Sequence, residues 1–202
     1  MVNKKTKEIY QFKITLKYSK PPIYRRIQVP DNYTFWDLHV AIQDSMGWMD
    51  CHLHEFQIVD LKHDAKVSIG IPDDEGWNEI EILPSWDEKI KKWFNMKNNT
   101  ALYIYDFGDN WEHDLILEKI IPVVKNKKYP LCIDGKRNCP PEDVGGIGGY
   151  ENMLEILADK ENEEREEFIE WLGYEYDSEK FEKTKIKFTS SKKRLKNFFE
   201  EY

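Results

Sequence analysis

Histidine, carboxylate and aromatic residues are interleaved in two segments of the sequence, a composition that suits metal binding or acid–base chemistry. The two segments are residues 47–56, GWMDCHLHEF, and residues 105–113, YDFGDNWEH. His52 and His54 are two positions apart, so on a strand both imidazoles would face the same side and form half of a metal site. Asp106, Asp109 or His113 would be further ligands, and the corresponding chemistry would be hydrolysis by a metal-activated water.

The same histidines also have ordinary structural interpretations. His52 and His54 could cap a turn between a helix and a strand, and His113 could pair with Asp106 or Asp109 beside its own turn. A complete zinc signature such as HExxH is absent from the sequence. We therefore predict no cofactor. The alternative is a divalent metal bound by His52, His54, Asp109 and His113.

A third segment, residues 139–146, reads CPPEDVGG. Its two prolines would stiffen the chain, so that Glu142 and Asp143 either cap a following helix or face a ligand. We predict that this segment meets the other two in one binding groove for a peptide, a protein or a nucleic-acid end. The predicted groove residues are His52, His54, Tyr105, Asp106, Asp109, Trp111, His113, Glu142 and Asp143.

Charge is distributed unevenly along the chain. The net charge is −8, which argues against a dominant basic face for duplex DNA. Residues 183–196, however, contain seven basic and no acidic side chains. We predict a basic C-terminal helix or tail over 183–202, and nucleic-acid contact through Lys192, Lys193, Arg194 and Lys196 is a further alternative.

Hydrophobic periodicity indicates the elements that position these segments. Alternation predicts strands over 9–18 and 23–29, 54–60 and 65–69, and a hairpin over 100–120. Thr34 and Gly47 are suited to cap a helix between them, with Asp37 as an acidic partner in the first turn. His39 lies beside the apolar stripe of that helix, so a core histidine with satisfied hydrogen bonds is expected there.

The remaining pattern is helical or irregular. Helices are predicted over 85–94, 150–158, 163–172 and 191–200, and a long proline- and glycine-rich connection over 122–149. The order of elements predicts an α+β fold with a mixed or mainly antiparallel sheet and a helical C-terminal part. A β-grasp-like sheet wrapping one helix is the narrower prediction, with residues 1–182 as a single domain.

Cysteine usage and hydropathy indicate a cytoplasmic protein. The three cysteines, Cys51, Cys132 and Cys139, are an odd number without CxxC spacing, which fits reduced thiols. The sequence contains no apolar run long enough for a membrane span, and the first residues lack the apolar stretch of a signal peptide. We therefore expect no membrane partner.

The three segments, together with IYRR at 23–26, LH at 38–39 and YPLC at 129–132, resemble the plasmid pRiA4b ORF-3-like family. The resemblance covers residues 8–182 and leaves out the basic tail. Many relatives have a second cysteine where this chain has Val144, so a thiol pair with Cys139 is not expected here. The resemblance implies an association with plasmids and mobile elements, where some members are labelled transposon resolvases.

The resolvase label is not supported by this sequence. A serine recombinase needs an activated serine near its N-terminus, and the early serine here, Ser19, lies in a Lys-Pro-Pro turn. The arginine, histidine and tyrosine spacing of a tyrosine recombinase is also missing. We therefore predict a non-enzymatic binding or accessory protein rather than a recombinase.

Overall fold

The computed structural model describes residues 6–72 and 81–201. Residues 1–5 and 73–80 of the predicted domain, and residue 202 of the predicted tail, therefore lie outside the described residues. Within the described ranges, eight strands form one open sheet in the order β5-β4-β3-β6-β7-β1-β2-β8. The strands are β1 (Glu8–Leu16), β2 (Tyr24–Pro30), β3 (His54–Asp60), β4 (Ala65–Gly70), β5 (Ile82–Pro84), β6 (Thr100–Tyr105), β7 (Trp111–Pro122) and β8 (Leu131–Lys136).

The sheet is mostly antiparallel. Six of its strand pairs are antiparallel, and only β4 and β5 run parallel. The alternation in β1 places Tyr10, Phe12 and Ile14 on one face of the strand, and all three are buried in the core. One face of the sheet is therefore the face that packs on the core. The predicted α+β class with a mixed sheet is confirmed.

Helix α1 (Phe35–Met46) is the central helix, and ten of its twelve residues are buried, which requires cover on more than one side. Its N-terminus has the predicted capping box, in which the Thr34 hydroxyl accepts from Asp37 N and the Asp37 carboxylate accepts from Thr34 N. Gly47 ends the helix at φ 92°, a left-handed conformation that glycine adopts without steric cost. The predicted start and end of α1 are confirmed.

Four more α-helices lie in the described ranges: α2 (Ile90–Trp93), α3 (Gly146–Ala158), α4 (Arg165–Leu172) and α5 (Ser191–Glu201). Helix α5 packs against α1, so α1 lies between the sheet and a second helix. The sheet itself stays open, with β5 and β8 at its edges. The β-grasp-like arrangement of a sheet wrapping a single helix is therefore not confirmed.

Two predicted elements are wrong in their bounds. The helix predicted over 85–94 is only one turn long, because residues 85–87 form a turn, in which Asp87 N donates to Pro84 O, and Lys89 bridges to Thr34, so that α2 begins only at Ile90. The connection predicted over 122–149 contains strand β8, which pairs with β2. Tertiary pairing outweighed weak local signals in both places.

None of the helices among residues 6–72 and 81–201 combines the length and the apolar character that crossing a membrane requires.

Candidate functional site

Residues 47–56 (the histidine segment) and residues 105–113 (the hairpin segment) meet at one end of the sheet because of strand pairing. His54 at the start of β3 is paired with Tyr105 at the end of β6, and Tyr105 is paired with Trp111 at the start of β7. Adjacent antiparallel strands thus bring residues 47–56 and residues 105–113 to the same end of the sheet. Two hydrogen bonds join them: Asp106 N donates to Leu53 O at 2.9 Å, and Cys51 N donates to the Tyr105 hydroxyl at 3.0 Å.

Residues 139–146 (the proline segment) follow β8 in the chain and reach the same end of the sheet. Glu142 accepts from Met49 N at 2.6 Å through one carboxylate oxygen and from the Tyr105 hydroxyl through the other. Trp48 Nε1 donates to Pro140 O at 2.9 Å. Residues 139–146 are therefore in contact with both other segments, and we call this shared region (residues 48–54, 105–111 and 139–146) the three-segment corner.

The closest backbone approach at the corner is between Gly146 and Asp109. A Cβ added at Gly146 would lie 2.4 Å from Asp109 O, and the residue has a φ of +66°. Gly145 N also donates to the Asp109 carboxylate at 3.2 Å. Asp109 therefore anchors the proline segment by hydrogen bonding, and glycine is required where the two backbones touch.

His52 lies between two carboxylates. Its Nε2 is 2.9 Å from Asp143 Oδ1 and 3.7 Å from Asp106 Oδ2. The His52 ring is half-buried and lies edge-on to Tyr105, while Asp143 is exposed. The three side chains come from three different segments, and their ligand-type atoms lie within 4.8 Å of one another.

His54 does not face the same side as His52, contrary to the prediction from their spacing. Strand β3 begins only at His54, so residues 50–53 are irregular and the two-residue strand repeat does not apply. His54 is buried, stacked on His39 at a centroid distance of 3.6 Å, with Nε2 3.2 Å from Ser85 Oγ. Burial, and then the nearby charge of His39, hold the pKa of His54 well below its usual range.

His113 is also a core residue. It packs between Trp48 and Tyr103, and burial lowers its pKa to about 4. Neither ring nitrogen of His113 has a hydrogen bond of ordinary geometry. The backbone carbonyl groups of Tyr103 and Trp111 raise the pKa of His113, but by less than burial lowers it. The expected pairing of His113 with Asp106 or Asp109 is wrong, because β7 points this side chain into the core.

The predicted metal ligands are consequently not assembled as a set. Of the set His52, His54, Asp109 and His113, His52 alone lies in the cluster, where Asp106, the other aspartate considered from the sequence, and Asp143 join it. Two further predicted groove residues, Tyr105 and Trp111, are fully buried. They support the corner from beneath and cannot contact a partner directly.

Large apolar side chains are exposed around the corner. Met49 is 71% exposed, Phe107 52% and Leu53 42%, although the backbone of each is adjacent to the hydrogen bonds that join the segments. Two depressions flank them. One has a volume of about 520 Å³ and lies between the histidine segment and α5, and the other, of about 440 Å³, lies between Met49, the proline segment and Trp171.

Sequence reasoning placed Asp50 in the histidine segment but gave it no role of its own. Asp50 accepts from His39 Nε2 at 2.6 Å and from Arg194 Nη1 at 3.0 Å. Burial alone would raise the pKa of Asp50, but His39 and Arg194 outweigh it and hold the pKa below its ordinary value. No local signal could have revealed this pair, because Arg194 is 144 residues away in sequence.

Cys51 is exposed at the corner but is not an activated thiol. Partial burial raises its pKa, and the carboxylates of Glu142, Asp50 and Asp143 raise it further. A thiolate nucleophile needs a lowered pKa from a cationic neighbour or a helix N-terminus. The corner therefore disfavours cysteine-based covalent chemistry at neutral pH.

The basic C-terminal residues have different environments. Arg194 forms ion pairs with Asp44 and Asp50, and its side chain is only 23% exposed. Lys196 is paired with Glu200 at the surface. Lys192 and Lys193 are exposed. One of the four predicted nucleic-acid contacts is therefore used inside the molecule, and the nucleic-acid alternative stays a prediction.

Comparison with known proteins gives one family. The sequence model of the plasmid pRiA4b ORF-3-like proteins matches residues 8–185. A curated relative, the uncharacterized protein y4hQ of Sinorhizobium fredii (strain NBRC 101917 / NGR234), is 35% identical over 178 residues, covering 84% of each chain.

A solved structure has the same fold. The crystal structure of MM3350 from Methanosarcina mazei Go1, described as a protein of unknown function, superposes with a TM-score of 0.84 and 45% identity. It covers 91% of this chain and 99% of its own length. Helix α5 lies beyond the residues that the family model matches.

Proposed function

The chain belongs to the plasmid pRiA4b ORF-3-like family, and from the three-segment corner of this member we propose that it is a non-enzymatic binding protein. The proposed occupant is a segment of another protein that presents apolar side chains to the corner. Met49, Leu53 and Phe107 would form the contact surface, and the three segments around them would hold it in place.

The observation that carries the proposal is the exposure of large apolar side chains on a firmly held surface. Single exposed apolar residues are common on monomeric proteins, but Met49, Leu53 and Phe107 lie in the loops next to the paired strand ends His54 and Tyr105, at one end of the sheet. The backbone beneath them is fixed by Glu142, which is hydrogen-bonded to Met49 N and to Tyr105. A rigid apolar surface loses little conformational entropy on binding.

The chemistry of the corner favours binding over catalysis. His54 and His113 are neutral and buried, so they are unsuited to transfer protons at the surface. Cys51, with its raised pKa, is a weak nucleophile.

Selection of a random-peptide library on the immobilised protein, followed by affinity measurements, tests the proposal. We expect the enriched peptides to contain apolar residues and to bind Met49→Ser and Phe107→Ser variants at least about tenfold more weakly, because central apolar contacts dominate binding energy.

Matched controls are available at the other end of the same strand. Val59 and Leu61 are 41% and 57% exposed, and they lie at or beyond the far end of β3 from His54. Val59→Ser and Leu61→Ser should leave the affinity unchanged. Equal loss in both pairs of variants, or no enriched peptide on the wild type, would refute the proposal.

A further inference from the structure

His52, Asp106 and Asp143 form a group whose chemistry goes beyond recognition of an apolar partner. In the described part of the chain, these three residues bring one histidine nitrogen and two carboxylate oxygens within 4.8 Å of one another. From its geometry we propose that it is a site for a first-row divalent transition metal, with Zn²⁺ bound most tightly among zinc, manganese and magnesium.

The distances suit a shared ion. Zinc binds imidazole nitrogen and carboxylate oxygen at about 2.0–2.2 Å, so two ligand atoms on one tetrahedral ion lie roughly 3.4 Å apart. His52 Nε2 is 2.9 Å from Asp143 Oδ1 and 3.7 Å from Asp106 Oδ2, and all three ligand atoms lie within 4.8 Å. The two separations from His52 are about 0.5 Å below and 0.3 Å above that value, and Asp143 is exposed and so has room to adjust.

The existing contacts of Asp106 and His52 leave one ligand atom of each side chain available for the ion. Asp106 accepts from Gly108 N through Oδ1 at 2.9 Å, which orients the carboxylate and leaves Oδ2 directed at His52. The His52 ring is positioned against Tyr105. Among residues 6–72 and 81–201, neither Asp106 nor Asp143 has a lysine or arginine in its ion pairs, so His52 is their shared cationic partner when protonated.

The donor set determines which ion is preferred. One imidazole with two carboxylates suits zinc, nickel or iron, whereas magnesium and calcium prefer oxygen alone, and zinc binds such sites more tightly than manganese. Three protein ligands leave a coordination position open, as in catalytic zinc sites. Because Asp143 is exposed, solvent can reach the site.

The ion would join the three segments that form the corner. Its ligands come one each from residues 47–56, 105–113 and 139–146, so the ion would add a third kind of link to the hydrogen bonds and aromatic contacts between these segments. Bound metal should therefore stabilise the folded state against the unfolded one. This inference is independent of the partner proposal, since it is tested on the isolated protein.

Isothermal titration of untagged, chelator-treated protein with Zn²⁺ is the primary test, with the melting temperature as a second readout. We expect one Zn²⁺ per chain and a melting temperature several degrees higher. Affinity should fall at least about tenfold in His52→Gln, Asp106→Asn and Asp143→Asn, since each removes a ligand. Asparagine tolerates the positive φ of both aspartates, 56° and 60°, so these variants keep the backbone conformation.

Two control variants separate this site from other zinc ligands. His63 is 2.7 Å from Asp60 in a similar but two-membered pair, so His63→Gln should leave zinc affinity unchanged. Cys51→Ser should also bind zinc normally, which excludes an adventitious thiol site next to His52. Loss of binding in either control, retention in the three ligand variants, or no zinc bound by the wild type would overturn the proposal and leave His52 as a purely ionic bridge.

Discussion

At the scale of single residues, the buried histidines make the fold sensitive to acid. In the unfolded chain a histidine takes up a proton as the pH falls below 6.5, whereas folded His113 stays neutral down to about pH 4. The unfolded state therefore binds more protons between these values, and the free energy of unfolding falls as the pH falls through that window. Buried His54, whose pKa is also lowered, acts in the same direction.

Replacement of His113 tests this dependence. Between pH 7 and pH 5, protonation of His113 in the unfolded state should cost the wild type about 2 kcal/mol of stability. In His113→Phe, which keeps an aromatic ring against Trp48 and Tyr103, the loss over the same range should be smaller by that amount. Urea unfolding at the two pH values measures the difference.

The matched control is Phe12, which is buried in the same core and carries no titratable group. Phe12→Leu should lower the free energy of unfolding equally at both pH values and so retain the wild-type dependence on pH. An unchanged slope in His113→Phe would mean that the buried ring already titrates near its ordinary value in the folded state. The readout is a difference between two pH values, so a uniform change in stability from the new side chain does not affect it.

At the scale of elements, the start of α3 is held by contact with the hairpin turn. Gly146, the first residue of α3, has its backbone against Asp109 O, whereas Gly148 has open space where a Cβ would lie. The two glycines are in one helix and two positions apart. They therefore separate the effect of the contact from the ordinary effect of glycine on a helix.

We expect opposite results from alanine at these two positions. Gly146→Ala should lower the free energy of unfolding by at least about 2 kcal/mol, because the methyl group would collide with backbone and the positive φ would be strained. Gly148→Ala should raise it by about 0.5–1 kcal/mol, because alanine favours helix over the unfolded chain. Chemical unfolding of both variants is the measurement, and equal effects would show that the corner does not depend on this close approach.

Local patterns predicted elements well where a single periodicity dominated. Thr34, Asp37 and Gly47 fix the ends of α1 through side-chain and backbone chemistry that depends on neighbours in sequence. Strand β8 was not predicted because its sequence, LCIDGK, contains glycine and aspartate, and its extended form depends on pairing with β2.

The same contrast applies to the candidate site. The sequence predicted that three segments meet, and each pair of them is joined by a hydrogen bond. The alternation of β7 predicted that His113 points inward, but the sequence could not predict that His54 points into the core while His52 stays at the surface. That depends on where β3 begins and on which face of the sheet α1 covers, and both are properties of the tertiary structure.

At the scale of the whole molecule, the C-terminal segment is integrated into the fold although the family match ends at residue 185. Trp36 Nε1 donates to Ser191 O at 2.9 Å, and the ring of Trp36 lies 5.7 Å from that of Phe198. Arg194 bridges Asp44 and Asp50, and Asp50 in turn accepts from buried His39. Helix α5 is thereby linked through Asp50 to the histidine segment of the corner.

Arg194 should be the main polar determinant of this docking. Its ion pairs are largely shielded from solvent, because Asp44 and Asp50 side chains are 4% and 9% exposed, so removal should cost more than a surface salt bridge does. We expect Arg194→Ala to weaken docking by about 2 kcal/mol, which corresponds to amide hydrogen exchange roughly 30-fold faster over α5. The amides of β1 and β7 in the centre of the sheet should keep wild-type protection.

Lys193→Ala is the matched control, because Lys193 is the neighbouring basic residue and is exposed. It should leave exchange in α5 unchanged, since removing a solvated charge alters no docking contact. Faster exchange in both variants would indicate that net charge of the helix governs its stability. If only Arg194→Ala responds, the ion pairs with Asp44 and Asp50 hold α5 on α1, and the exposed lysines remain available for other contacts.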